Sequence, residues 1–192
     1  MRFAYADPPY PGQSADLYAD HPDYAGEVDH AELITRLEAG YPDGWALSTS
    51  ARSLPYVLSM CPAGVWVAAW HKSNAPPIRT TRRYIWSWEP VLVRGGRRDA
   101  SPVRDALSCG QNQGFPGQKP PAFTRWVVEL LGATCDDMID DLFAGSGAVA
   151  RELAAVAQQP TLPWDQQILD GDSARRARRY VGGRNGTRRR GI

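Results

Sequence analysis

Asp7-Pro8-Pro9-Tyr10 sets a carboxylate, two rigid backbone units and an aromatic ring on four consecutive residues, directly after the apolar run Phe3-Ala4-Tyr5-Ala6. A carboxylate and the neighbouring peptide carbonyls are hydrogen-bond acceptors, and a tyrosine ring is a face on which a flat ligand can stack. Proline restricts φ, so little further entropy is lost when a ligand orders such a loop. A second stretch, Asp141-Leu142-Phe143-Ala144-Gly145-Ser146-Gly147, ends an apolar run on an acid and then turns on glycines. Glycines let backbone N–H groups come close to a ligand. This turn lacks the Gly-Lys-Ser/Thr of a phosphate loop, and Val149-Ala150 stand where the third glycine of a dinucleotide fingerprint would fall. Lys119-Pro120 adds a cation beside another rigid unit. Cys61, Cys109 and Cys135 are odd in number and widely spaced, and His21 and His30 have no ligand spacing, so no metal is expected.

These residues need elements to carry them. Phe3–Ala6 reads as a short buried strand that the proline pair ends, which places Asp7 at a strand's carboxyl end, where open α/β sheets bind ligands. Apolar residues at 33, 34 and 37 predict a helix, with Asp29 as its N-cap. Residues 44–49 and 65–70 read as strands, and 52–60 as a short helix. Residues 84–93 read as a third strong strand, in which Pro90 implies an edge or a bulge. Trp70, near a strand end, is the tryptophan expected closest to a ligand, and His71-Lys72-Ser73-Asn74 after it are candidates to line a cleft. Residues 94–118 show little periodicity. Phe123, Trp126, Val127, Leu130 and Leu131 share one face of a helix over 122–131 that Gly132 stops. Residues 138–143 predict a strand, followed after the glycines by a helix over 148–157. Strands alternating with helices predict an α/β fold with a mainly parallel sheet and helices on both faces.

Bulk composition excludes little. The 192 residues carry 22 basic and 21 acidic side chains, so the charge is informative only in its distribution. Arg175, Arg176, Arg178, Arg179, Arg184 and Arg188-Arg189-Arg190 crowd the end of the chain. No apolar run reaches 18 residues and no signal-peptide pattern opens the chain, so a cytoplasmic protein is expected.

Taken together, the motifs resemble those of the methyltransferases that modify the exocyclic amino groups of adenine (N6) or cytosine (N4) in nucleic acids. In that family a DPPY-type tetrapeptide is the catalytic loop and a DxFxGxG turn binds S-adenosylmethionine, with a Lys-Pro element ahead of that turn. The order here, with the catalytic motif first, looks like the permuted β-type arrangement. The resemblance spans residues 3 to about 155 and implies a Rossmann-like methyltransferase fold. It implies catalytic roles for Asp7, Pro8, Pro9 and Tyr10. It implies S-adenosylmethionine as cofactor, bound by Lys119, Pro120, Asp141, Phe143, Ala144, Gly145, Ser146 and Gly147. Within that set Asp141 would accept from the methionine ammonium, Lys119 would balance the methionine carboxylate, and Thr124 would add a hydroxyl contact. Asp rather than Ser at position 7 leans toward adenine. The implied partner is DNA, with RNA as an alternative and no membrane. Arg79, Arg82 and Arg83, together with Arg94, Arg97 and Arg98, are the candidate phosphate contacts.

The chain departs from the family at two places. Only residues 94–118 are left for target recognition, and Pro160 and Pro163 fall where a strand carrying a ribose-binding acid is expected, leaving Asp170 or Asp172. The expected organisation is therefore a methyltransferase domain over 1–157 and a degenerate, basic tail over 158–192; the compact form would suit a phage enzyme. A methyltransferase fold that binds nucleic acid without catalysis is the rival reading. Removing residues 175–192 is expected to weaken DNA binding and flatten its salt dependence, by about one unit of slope for each phosphate no longer neutralised, as measured in titrations at several salt concentrations.

Overall fold

The computed structural model describes residues 1–11, 27–75, 84–111 and 118–143, all within the unit Met1–Gln158. They form one six-stranded sheet flanked by three helices. In chain order these are β1 (Arg2–Ala6), α1 (His30–Gly40), β2 (Gly44–Ser48), α2 (Leu54–Ser59), β3 (Trp66–Lys72), β4 (Trp88–Gly95), β5 (Ala106–Cys109), α3 (Pro121–Leu131) and β6 (Met138–Asp141). The sheet order is β5-β3-β4-β2-β1-β6. β1 runs parallel to β2 and β6, and β3 parallel to β5, while β4 is antiparallel to both its neighbours.

Strand alternation sorts the core into two layers. Phe3 and Tyr5 of β1 face one side with Trp70, Val91 and Val93, where Phe123, Trp126, Val127 and Leu131 of α3 cover them. Ala4 and Ala6 face the other side with Trp45, Leu47 and Leu92, under Leu33, Ile34 and Leu37 of α1 and Val57 of α2. Asp29 caps α1 by accepting from the N–H groups of Ala31 and Glu32 at 2.9 and 3.0 Å. Gly132 ends α3 at φ 62°, where a Cβ would lie 2.6 Å from that of Ala100. The helices on both faces and the β1, β2, β3 and β6 strands match the sequence expectation. No helix among the described residues is long and apolar enough to cross a membrane.

Three elements differ from the sequence reading. Pro90 lies in an internal strand of unbroken register. Its carbonyl accepts from the Thr49 N–H at 3.1 Å, so its nitrogen faces the same way, toward the place where β2 has already ended at Ser48. The missing donor therefore forgoes only the reciprocal bond to Thr49, one residue past the end of β2, and neither an edge nor a bulge is needed. β4 begins at Trp88 rather than Tyr84, because β3 stops at Lys72 and offers nothing further to pair with; Tyr84 is 74% exposed. Within 94–118, β5 forms against β3 although its four residues carry no pattern that distinguishes them from a loop.

Phe123 is fully buried and meets the rings of Tyr5, Trp70 and Trp126 at 6.1, 5.0 and 5.9 Å. Phe123→Ala is expected to lower unfolding free energy by about 3–5 kcal/mol, measured by urea denaturation.

Candidate active site

The topology brings one set of chain ends to one edge. β1, β2, β3, β5 and β6 all point the same way, so Asp7, Thr49, Lys72, Cys109 and Asp141 reach the same edge of the sheet at their carboxyl ends. β4 runs the other way and starts there, which delivers Glu89 to that edge. Lys119 arrives just before α3, whose buried face fixes its approach.

Here two acids and two lysines interlock. The Lys119 Nζ lies 3.1 Å from Asp7 Oδ1 and 3.1 Å from Glu89 Oε2. It also donates to the Tyr10 hydroxyl at 3.3 Å, and Tyr10 in turn donates to Glu89 Oε2 at 3.0 Å. Lys72 Nζ donates to the other Glu89 oxygen. The Lys119 side chain is only 6% exposed and its ammonium faces the rings of Tyr10, Trp70 and Phe123 at 5.6–5.8 Å. Such ring faces favour a cation that has lost its water. Burial works against the Lys119 charge, but Asp7, Tyr5 and Glu89 outweigh it and hold the ammonium protonated well above the usual lysine range. Burial raises the Asp7 carboxyl above its ordinary value; Lys119 opposes that rise and the Glu89 charge reinforces it. Burial also pushes Glu89 up, but Lys119 and Lys72 together leave it below the ordinary glutamate value.

The second motif starts beside the first. Tyr5 of β1 is in register with Asp141 of β6, and the Leu142 N–H donates to the Tyr5 carbonyl at 3.0 Å. Asp141 Oδ1 accepts the Phe143 N–H at 3.3 Å, while its Oδ2 is buried with no hydrogen-bond partner among the described residues. Burial raises the Asp141 carboxyl, the Phe143 N–H opposes this, and the charge of Asp7 adds to it. The Thr124 hydroxyl on α3 is likewise buried and unpartnered among the described residues. A buried acceptor without a donor is costly, so Asp141 Oδ2 fits an ammonium or hydroxyl supplied by a ligand. Asp140, next to it, is already used: Arg2 donates to it at 2.6 Å and Tyr41 at 2.8 Å.

Of the residues singled out from sequence, Asp7, Tyr10 and Lys119 come together, Pro8 and Pro120 are buried beside them, and Pro9 lies between. Phe143 packs on the layer formed with α1 and α2. Ala144, Gly145, Ser146 and Gly147 lie outside the described residues, as do Arg79, Arg82, Arg83 and the basic tail. Arg97 sits at the opposite edge, where Gly95 pairs with Gly44. There it binds Asp137 at 2.6 Å and the Gly132 carbonyl at 3.0 Å, so its charge is spent on the fold; Arg98 beside it is exposed. Trp70 is core rather than cleft lining, 2% exposed with its N–H on the Cys109 carbonyl. His71 pairs with Ser108 and Asn74 with Gln111, whereas Lys72 reaches the cluster. Glu89 carries no sequence signal, being one polar residue in an aromatic strand; the antiparallel return of β4 is what brings it in. Among the described residues no group of three or more His, Cys, Asp or Glu side chains is placed to hold a metal ion.

No family model matches the chain, and no curated protein matches it in sequence. Solved structures do match in shape. The crystal structure of M1.HpyAVI superposes with a TM-score of 0.55 at 19% identity, covering 81% of this chain and 76% of that one. The M1.HpyAVI-SAM complex gives 0.54 at 19% identity, covering 81% and 78%. PvuII DNA methyltransferase (cytosine-N4-specific) superposes more loosely, with a TM-score of 0.45 at 12% identity, covering 88% and 83%. The chain thus has an α/β methyltransferase-like fold.

Lys119→Met would leave two half-buried carboxylates facing Lys72 alone. It is expected to cost about 3–5 kcal/mol of stability in urea denaturation at pH 7. The loss should shrink as pH falls, because Asp7, its folded-state pKa now raised further, takes a proton in the folded chain before it does in the unfolded one.

Proposed function

We propose that this chain is an S-adenosylmethionine-dependent methyltransferase that modifies the exocyclic N6 amino group of adenine in DNA. The observation that carries this reading is the adjacency of the two motifs: Asp7 and Asp141 leave neighbouring parallel strands at the same edge, where a buried Asp141 oxygen has no hydrogen-bond partner among the described residues and is available to a ligand's donor. The likeness to a fold solved as a complex with SAM supports the cofactor.

Bound S-adenosylmethionine supplies an electrophilic methyl group on a sulfonium. The residues of this chain supply the rest. An adenine amino nitrogen shares its lone pair with the ring and is a poor nucleophile. The Asp7 carboxylate and the Pro8 carbonyl would accept hydrogen bonds from its two N–H groups, drawing the nitrogen out of conjugation as it attacks; the N–C bond would form as the methyl–sulfur bond breaks to leave a neutral thioether, and the nitrogen's surplus proton would pass to solvent. Tyr10 would stack on the base, a contact worth about 1–3 kcal/mol, once the base has left the duplex. Asp141 would hold the methionine ammonium, with the Thr124 hydroxyl a further contact. Because Asp7 must be ionised to accept, activity should fall at acid pH, with a limb above the usual aspartate value of about 3.9. Much of the rate enhancement comes from holding these groups in place before reaction.

The test is to incubate the protein with DNA and methyl-labelled S-adenosylmethionine, digest to nucleosides and identify the product by mass spectrometry. N6-methyldeoxyadenosine is expected. N4-methyldeoxycytidine would reassign the base, and no product together with no heat of cofactor binding at millimolar concentration would leave a nucleic-acid-binding module instead. Asp7→Ala should reduce transfer by about 10²-fold or more with calorimetric cofactor affinity retained. Asp141→Ala should weaken cofactor binding about 10–150-fold, the value of one charged hydrogen bond.

A further inference from the structure

Glu89 touches no reacting atom in this reading, yet it is the hub of the cluster. One of its oxygens takes Lys72, and the other takes both Lys119 and the Tyr10 hydroxyl. Its side chain is 14% exposed, beside Trp70 across the β3–β4 ladder. A sheet position of this kind is satisfied by any residue that pairs in the ladder. A carboxylate there loses most of its hydration and must recover it from donors. The donors it recovers it from are the two elements that frame Asp7.

We propose that Glu89 is a positioning residue for methyl transfer: it anchors Tyr10 by its hydroxyl and shares Lys119 with Asp7, so that ring, ammonium and carboxylate hold one arrangement. The inference rests on the methyltransferase reading above and adds to it a residue and an electrostatic role. Two lysines opposite two carboxylates make a neutral set. The groups that act on Asp7 are Lys119 ahead of α3, Glu89 on β4, Lys72 at the end of β3, Tyr5 on β1 and Asp141 on β6, while Tyr10 on its own loop bonds Lys119 and Glu89. Among them, Glu89 works against Asp7 ionisation and Lys72 works for it.

Removing either charge therefore moves Asp7 in opposite directions, an effect that a merely structural role would not produce. Glu89→Gln is expected to shift the acid limb of the pH–rate profile down by about one unit, and Lys72→Met to shift it up by a similar amount. The Asp7 carboxyl titration, followed by carbon NMR, should move the same way in each. Glu89→Gln should also lower kcat about tenfold and Glu89→Ala about 10²-fold, since glutamine retains an acceptor for Tyr10. Cofactor affinity by calorimetry should stay at the wild-type value in Glu89→Gln. Limbs, rates and Asp7 titration unchanged in Glu89→Gln and Lys72→Met, in an active protein, would overturn the inference alone. A wild-type protein that transfers no methyl would overturn the methyltransferase reading and this inference with it.

Discussion

A lysine buried between two carboxylates is the constraint on which this edge of the molecule depends. Lys119 lies within 3.1 Å of both Asp7 and Glu89, under three aromatic rings. The Lys119 ammonium is buried and both carboxylates are partly withdrawn from water, so each depends on its partners, and the loss of one leaves another uncompensated. The loop after β1 is thereby tied to α3 through Lys119 and to β4 through Glu89. Two prolines remove its backbone freedom, and the charge cluster removes what is left to the side chains. A loop fixed in this way can present Asp7 and Tyr10 without ordering them anew for each ligand, which is the condition under which a weak nucleophile can be held for reaction.

The sheet explains why the cluster exists. Five strands end at one edge, and the antiparallel β4 starts there. The reversed strand carries a proline one residue after the acid that binds both lysines, and it tolerates it because Pro90 turns its missing donor toward the end of β2. At the far edge Asp137 binds Arg97 and the chain's first amino group, holding its carboxyl well below the usual range. Burial opposes that shift, and the hydrogen bonds from the amino terminus, Arg97 and Thr134 overcome it. The two edges thus divide the work, with ion pairs that join elements at one and those that hold the loop at the other.

What could be read from sequence was local. The short apolar runs at residues 3–6 and 44–48, the 3–4 spacing of Phe123, Trp126, Val127 and Leu131, the Asp29 cap and the Gly132 stop are each decided by near neighbours, and each appears as expected. Asp7, Tyr10 and Lys119 were found by motif, and their meeting followed from strands that end at one edge. The direction of β4 was not local information. Neither Glu89 nor the binding of Arg97 at the opposite edge could be inferred without it, since both depend on which end of a strand lies beside which loop. β5 was missed for a related reason: four residues gain strand structure only from the β3 edge they meet.

The central claim is spatial: one ligand must touch Asp141 and present its reactive atom to Asp7. A crystal structure of the protein with bound S-adenosylhomocysteine tests it most directly. The account predicts the ligand's amino group on Asp141 Oδ2 and its sulfur turned toward the Asp7–Tyr10 loop. A ligand seated elsewhere, or one whose sulfur faces away from Asp7, would contradict it.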